Sequence, residues 1–149
     1  MVGGGTQLTS PTTNAGGTSS SAGLRTTGAT TFNDNTTLSG TYDNAGFTAA
    51  GTTNLAGATT INAGASAILF SGTVNGGSAL TANSTGTTTF NDAVSIGSLT
   101  TNAGGSTAIN GGAVNGTQSY GDAVTLGTNT TLSGAAVGFA NTVDGGGSL

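Results

Sequence analysis

The chain has 149 residues, of which 29 are Gly and one is Pro, with no Cys, His or Trp, a single basic residue and a net charge of -4. One Arg and no Lys exclude the several cationic contacts that a nucleic-acid backbone or an anionic membrane surface requires. The lack of Cys excludes a disulfide framework and thiolate metal sites, and no apolar run is long enough to span a membrane as a helix. The first residues carry no basic segment followed by an apolar one, so no signal peptide is read there. Much Gly and Ser would suit a flexible linker, but the charge is low and Phe32, Leu38, Phe47, Leu55, Ile61, Ile68, Phe70, Val74 and Leu80 recur every few positions.

In chain order, the first phrase is Val2-Gly3-Gly4-Gly5-Thr6-Gln7-Leu8, of the form Val-x-Gly-Gly-x-x-Leu. It recurs at Val74–Leu80 and at Val143–Leu149, in the middle and at the end. Self-similarity of this kind marks a repeat architecture. The reading is a single segment over 1–149, with long repeats about 2–73 and 74–142 and a third starting at 143–149. Val and Leu of the phrase are expected to point inward. Its glycines, Gly76 and Gly77 and again Gly145 and Gly146, are expected to turn the corner between two strands.

Shorter phrases recur within the long ones. Thr12-Thr13-Asn14-Ala15-Gly16-Gly17 returns at 100–105, Thr31-Phe32-Asn33-Asp34 at 89–92 and more loosely at 119–122, and Thr36-Thr37-Leu38-Ser39-Gly40 at 130–134. Gly breaks almost every window, and Thr, Asn and Ser are poor helix formers, so helix is nearly excluded. The second half divides into pieces of strand size, among them Thr87–Phe90, Ala93–Ile96, Ser98–Thr101, Ser106–Ile109, Gln118–Tyr120, Ala123–Leu126 and Val137–Phe139, separated by Gly and Asn turn signals.

Strands so short and so dense predict an all-β, right-handed parallel β-helix, a β-solenoid with three small faces per turn. Its coils are expected to be roughly 20–22 residues long. In the second half the expected divisions fall at 65–86, 87–105, 106–127 and 128–149. About seven coils stacked at roughly 4.8 Å predict a rod about 34 Å long. Inward positions are expected to be Val, Ile, Leu, Phe and Ala; outward positions, Thr, Ser and Asn.

Four local signals bear on function. Asp34, Asp92 and Asp122 each follow an aromatic by two residues: they are calcium candidates at coil corners, or turn-capping side chains. No other cofactor is expected. Asn14 and Asn102, with Asn62 between, are each followed by Ala-Gly and are expected to form an amide ladder. Four glycosylation-type triplets, at Asn35, Asn83, Asn115 and Asn129, are what chance gives in this composition. With no His or Cys, and with Gly-Gly phrases that no Lys follows, neither a nucleophilic site nor a phosphate loop is read, so no enzyme activity is expected.

The stretches Thr87–Gly105 and Gln118–Gly134 resemble the repeats of giant bacterial surface proteins, the filamentous-haemagglutinin-like and autotransporter-type adhesins. The resemblance covers about residues 70–149 closely and 1–69 more loosely. It implies an exported right-handed β-helix serving as a stalk or adhesive fibre at the bacterial cell surface. The expected partners are a further stacked copy or the rest of a longer parent array, and a surface or glycan ligand, with no nucleic acid and no membrane insertion. Two alternatives stand beside it. The recurrent Thr-Thr pairs suit an ice-binding solenoid where they align from coil to coil, although the coil divisions above leave them unaligned. A carbohydrate-binding β-helix would need aromatics on an outer face.

Overall fold

The computed structural model describes residues 7–149, so the first Val-x-Gly-Gly-x-x-Leu phrase lies outside the described residues apart from Gln7 and Leu8. The described chain is all strand, with no helix, and every strand pairing is parallel. It is a β-solenoid. One face, the first, carries Thr30–Phe32, Phe47–Ala49, Ile68–Phe70, Thr87–Phe90, Ser106–Ile109, Ala123–Leu126 and Val143–Gly145, each stacked on the one before. A column through the middle of this face runs Thr12, Thr31, Thr48, Leu69, Thr89, Ala108, Thr125 and Asp144. Its successive spacings of 19, 17, 21, 20, 19, 17 and 19 residues define seven coils.

The second sheet is bent and supplies the other two faces. Its long strands, Asn35–Asp43, Thr53–Gly64, Val94–Thr101 and Ala113–Tyr120, run through both, while Val74–Asn75 and Ala79–Ser84 supply the two faces of one coil as separate strands. Shifts of register between Leu38 and Gly40 and between Ser95 and Ser98 mark the bend. Extra residues there, two in Thr53–Gly64 and one in Val94–Thr101, kink the strand without ending its ladder. Each coil thus has three short faces, and every interior strand pairs above and below, which satisfies backbone groups that a single coil would leave open.

The bore holds the apolar residues. Leu38, Tyr42, Ile61, Ile68, Phe70, Val74, Leu80, Val94, Ile109, Val114 and Val124 have no measurable exposure. An aromatic stack runs up one side: Phe32 to Phe47 at 5.9 Å, Phe47 to Phe70 at 5.6 Å and Phe70 to Phe90 at 5.4 Å between ring centres, the last pair parallel. Tyr120 stacks on Phe139 at 5.2 Å further along.

Two expectations need correction. The division at 106–127 placed Ser106–Ile109 and Ala123–Leu126 in one coil, whereas they stack directly on each other. The coil between them has only 17 residues, too short for a uniform count. Thr was expected outside, yet Thr26, Thr30, Thr36, Thr53, Thr59, Thr88, Thr101, Thr107 and Thr130 are buried in the bore. A strand alternates sides, so each Thr-Thr pair sends one side chain in and one out.

Candidate functional site

The short phrases turn out to be corner pieces rather than register marks. Val74 is on the second face, stacked with Val94, whereas Val143 is on the first face, stacked on Val124. The glycine two residues after each has positive φ, +122° at Gly76 and +128° at Gly145. A Cβ on Gly76 would lie 2.5 Å from the Leu55 carbonyl oxygen, so the turn takes only glycine there. Gly77 and Gly146, next in each phrase, face open space. The triplet Val114-Asn115-Gly116 repeats the turn in true register with Val74-Asn75-Gly76, through Val94.

The three aspartates stand at separate corners. Asp34 accepts hydrogen bonds from the Thr13 hydroxyl (2.8 Å) and the Ser19 hydroxyl (2.8 Å). The Ser19 bond is the main reason its carboxyl is held below the usual value, with Thr13 adding to it and burial opposing. Asp92 accepts from the backbone N–H of Ala93 at 2.7 Å, a turn-capping contact. Asp122 is buried in the bore, and one oxygen accepts from Thr101 (3.0 Å) and Thr107 (2.7 Å). Phe32 and Phe90 lie on the first face, but Tyr120 lies on the third, so the loosest copy of the aromatic-aspartate phrase has a different phase. No three metal-ligating side chains come together among the described residues.

The amide ladder keeps Asn62, with Asn102 next in its column, but gains Asp43 and Asn83 and loses Asn14. On the third face Asp43, Asn62 and Asn83 stack in register. Asn62 Nδ2 donates to Asp43 Oδ1 at 2.7 Å, and Asn83 Nδ2 donates to Asn62 Oδ1 at 2.8 Å. Asn102 follows one coil on, its Oδ1 accepting from the Ser84 backbone N–H at 2.7 Å. Asn14 is not part of this column: Thr12 is bridged to Thr31, which puts Asn14 at the corner after the first face. Among the described residues its amide reaches only the neighbouring Ala15 carbonyl, at 3.4 Å. The shared Asn-Ala-Gly spelling hid two different corners. Arg25 closes the column at its N-terminal side, 3.2 Å from Asp43.

Beside the ladder runs a second column on the same face. Thr41, Thr60, Thr81 and Thr100 are in register, and Ser119 continues them. All are outward and at least partly exposed. In sequence the face reads Thr-x-Asx four times, at 41–43, 60–62, 81–83 and 100–102. That triplet, rather than the Thr-Thr pair, was the signal that sequence reading missed. The corresponding column on the first face is interrupted by Leu69, Ala108 and Asp144. The outward column of the second face is mixed: Ser20, Thr37, Asn54, Asn75, Ser95, Asn115 and Ser133.

At the C-terminal coil the bore is open. Leu132, Phe139 and Val143 are only partly buried, and with Val137 and Leu149 exposed, a depression of about 280 Å³ is lined by Thr130, Thr131, Leu132, Val137, Phe139 and Leu149. Comparison of the chain with family models, with curated proteins and with solved structures found no match.

Proposed function

We propose that the chain is a structural segment of an exported bacterial surface fibre, a solenoid whose task is to extend and to stack, with no reaction of its own. The observation that supports it is the open C-terminal coil. Thr131–Ser133, Val137–Phe139 and Val143–Gly145 each pair with the coil before them, while the apolar side chains among them remain partly uncovered. Another parallel coil continues that ladder and covers Leu132, Phe139 and Val143; unpaired strand edges are the usual site of such association. The partner is a second copy or a neighbouring part of a longer array. The resemblance of residues 70–149 to adhesin repeats supports the exported, cell-surface setting.

A glycan-binding face has less support. All five Phe and both Tyr side chains belong to the bore: Phe32, Tyr42, Phe47, Phe70, Phe90 and Tyr120 are buried, and Phe139 packs against them at the last coil. Sedimentation over a wide concentration range tests the stacking. Species growing with concentration are expected, and Val137→Lys should shift them back to monomer. A wild-type chain that stays monomeric at the highest concentration overturns end-to-end stacking.

A further inference from the structure

We infer that the third face, through Thr41, Thr60, Thr81 and Thr100 with Asn62, Asn83 and Asn102 beside them, binds the ordered oxygen lattice of an ice surface. The inference does not rest on the fibre reading. On these strands the threonine hydroxyls with protein partners are the inward ones, Thr59 and Thr101. The outward hydroxyls are left for an external ligand. A β-branched side chain on a strand has few rotamers, so each outward Thr presents its hydroxyl and methyl at a fixed place. Asn62 and Asn83 are held rung to rung at 2.7 and 2.8 Å, and Asn102 is held by the Ser84 N–H at 2.7 Å, so little further order is lost on binding.

The geometry selects the ligand. Rungs repeat at about 4.8 Å across the strands, and Thr and Asx stand two residues apart, about 6.7 Å, along them. The result is a two-dimensional array of hydrogen-bonding groups on a sheet. Apart from the Arg25–Asp43 pair at one end the array carries no charge, so it offers nothing to an ionic partner. Each hydroxyl is a weak contact in competition with water. A small molecule meets one or two of them, whereas a periodic partner engages the whole column at once, and linked weak contacts multiply. A second copy has little apolar area to bury against this polar face. A polysaccharide finds no outer aromatic to stack on, since the aromatic rings are in the bore. Ordered water is periodic, uncharged and able both to donate and to accept.

Thermal hysteresis and ice-crystal shaping by the intact chain test this, with Thr60→Lys and Thr81→Lys as variants and Thr48→Lys, outward on the first face, as control. Circular dichroism establishes that each variant is folded. The wild type should hold back crystal growth. The two third-face variants should lower the effect by about tenfold or more, as expected when the central contacts of a multivalent array are lost. Thr48→Lys should leave it intact. Absence of hysteresis and shaping by folded wild type at millimolar concentration overturns the inference. Equal loss in Thr48→Lys overturns it too, as does binding to an insoluble polysaccharide that depends on Thr60 and Thr81 in a chain without ice activity.

Discussion

Asn83 donates its side-chain amide to Asn62, one coil below, at 2.8 Å, and Asn62 in turn donates to Asp43 at 2.7 Å. The three side chains form a one-directional chain of hydrogen bonds along the rod, in which Asn62 accepts from Asn83 of the next coil and donates to Asp43 of the last. Asn62 is the central member and is bonded on both sides. Asn62→Ala should therefore cost about 1–2 kcal/mol, two modest bonds lost at a half-exposed position, and Asn83→Ala about 1 kcal/mol. Thermal unfolding of the two variants checks the order; equal effects would show that the chain of bonds contributes nothing as a chain.

Thr36 and Thr53 occupy the second-face bore position that Val74, Val94, Val114 and Leu132 fill in later coils. Both hydroxyls are buried without a partner among the described residues. A buried hydroxyl with no hydrogen bond is a net cost, and Val has nearly the same shape. Thr53→Val should raise stability by about 1 kcal/mol, read as a melting temperature about 2–4 °C higher. Thr59→Val is the contrast, because the Thr59 hydroxyl donates to the Gly57 carbonyl at 3.0 Å and has something to lose. If both substitutions shift stability the same way, the orphaned hydroxyl is not the cause.

The bore also contains a Gln. Gln118 is buried, and its Nε2 donates to the carbonyls of Val114 (3.0 Å), Gly116 (3.0 Å) and Ser133 (3.2 Å). Its Oε1 accepts from the Tyr120 hydroxyl at 2.8 Å. Burial pushes that hydroxyl above its ordinary value of 10.0, which keeps it a donor. Gln118→Leu should cost about 3 kcal/mol, since it strands the Tyr120 hydroxyl and removes the two amide protons that the three carbonyls share, and Tyr120→Phe about 1–2 kcal/mol. The double variant should fall short of the sum, because the second change removes the group the first left unpaired. Additive losses in denaturant melts would contradict the network.

Much of the fold was legible because strands and turns are local. Thr87–Phe90, Ser106–Ile109, Ala123–Leu126 and Val137–Phe139 are strands at the bounds their β-branched and aromatic residues and flanking Gly or Asn give. Phase was not legible, because a corner phrase is a local solution usable at any of three corners. The Thr-Thr-Asn-Ala-Gly-Gly copies at 12–17 and 100–105 follow the first face in one case and the third face in the other. Coil length varies between 17 and 21 residues, so counting from one phrase to the next drifts by a face within two or three coils. The third-face columns could not be seen until Thr41, Thr60, Thr81 and Thr100 were in register.

Asp34 makes the N-terminal coils sensitive to acid. Its two oxygens accept from Thr13 and Ser19, and these bonds hold its carboxyl below the ordinary 3.8. A carboxylate with a depressed folded-state value binds its proton more readily when unfolded, so the stabilisation is complete above the ordinary value. It is lost as pH falls through the lower, folded-state value. Protonation turns one of the two oxygens into a donor, so the hydroxyl that donated to it, Thr13 or Ser19, loses its acceptor, and the other faces a neutral carbonyl oxygen instead of a charged one. Exchange protection of the amides that cross this corner, such as Thr13 N–H to the Thr31 carbonyl at 3.0 Å, should hold from neutral pH to about pH 4 and decline below it. Asn at position 34 carries no charge to titrate, so Asp34→Asn should be weaker at neutral pH and flat across the same acid range. An Asp34→Asn chain that keeps the acid decline would place its origin at another carboxylate.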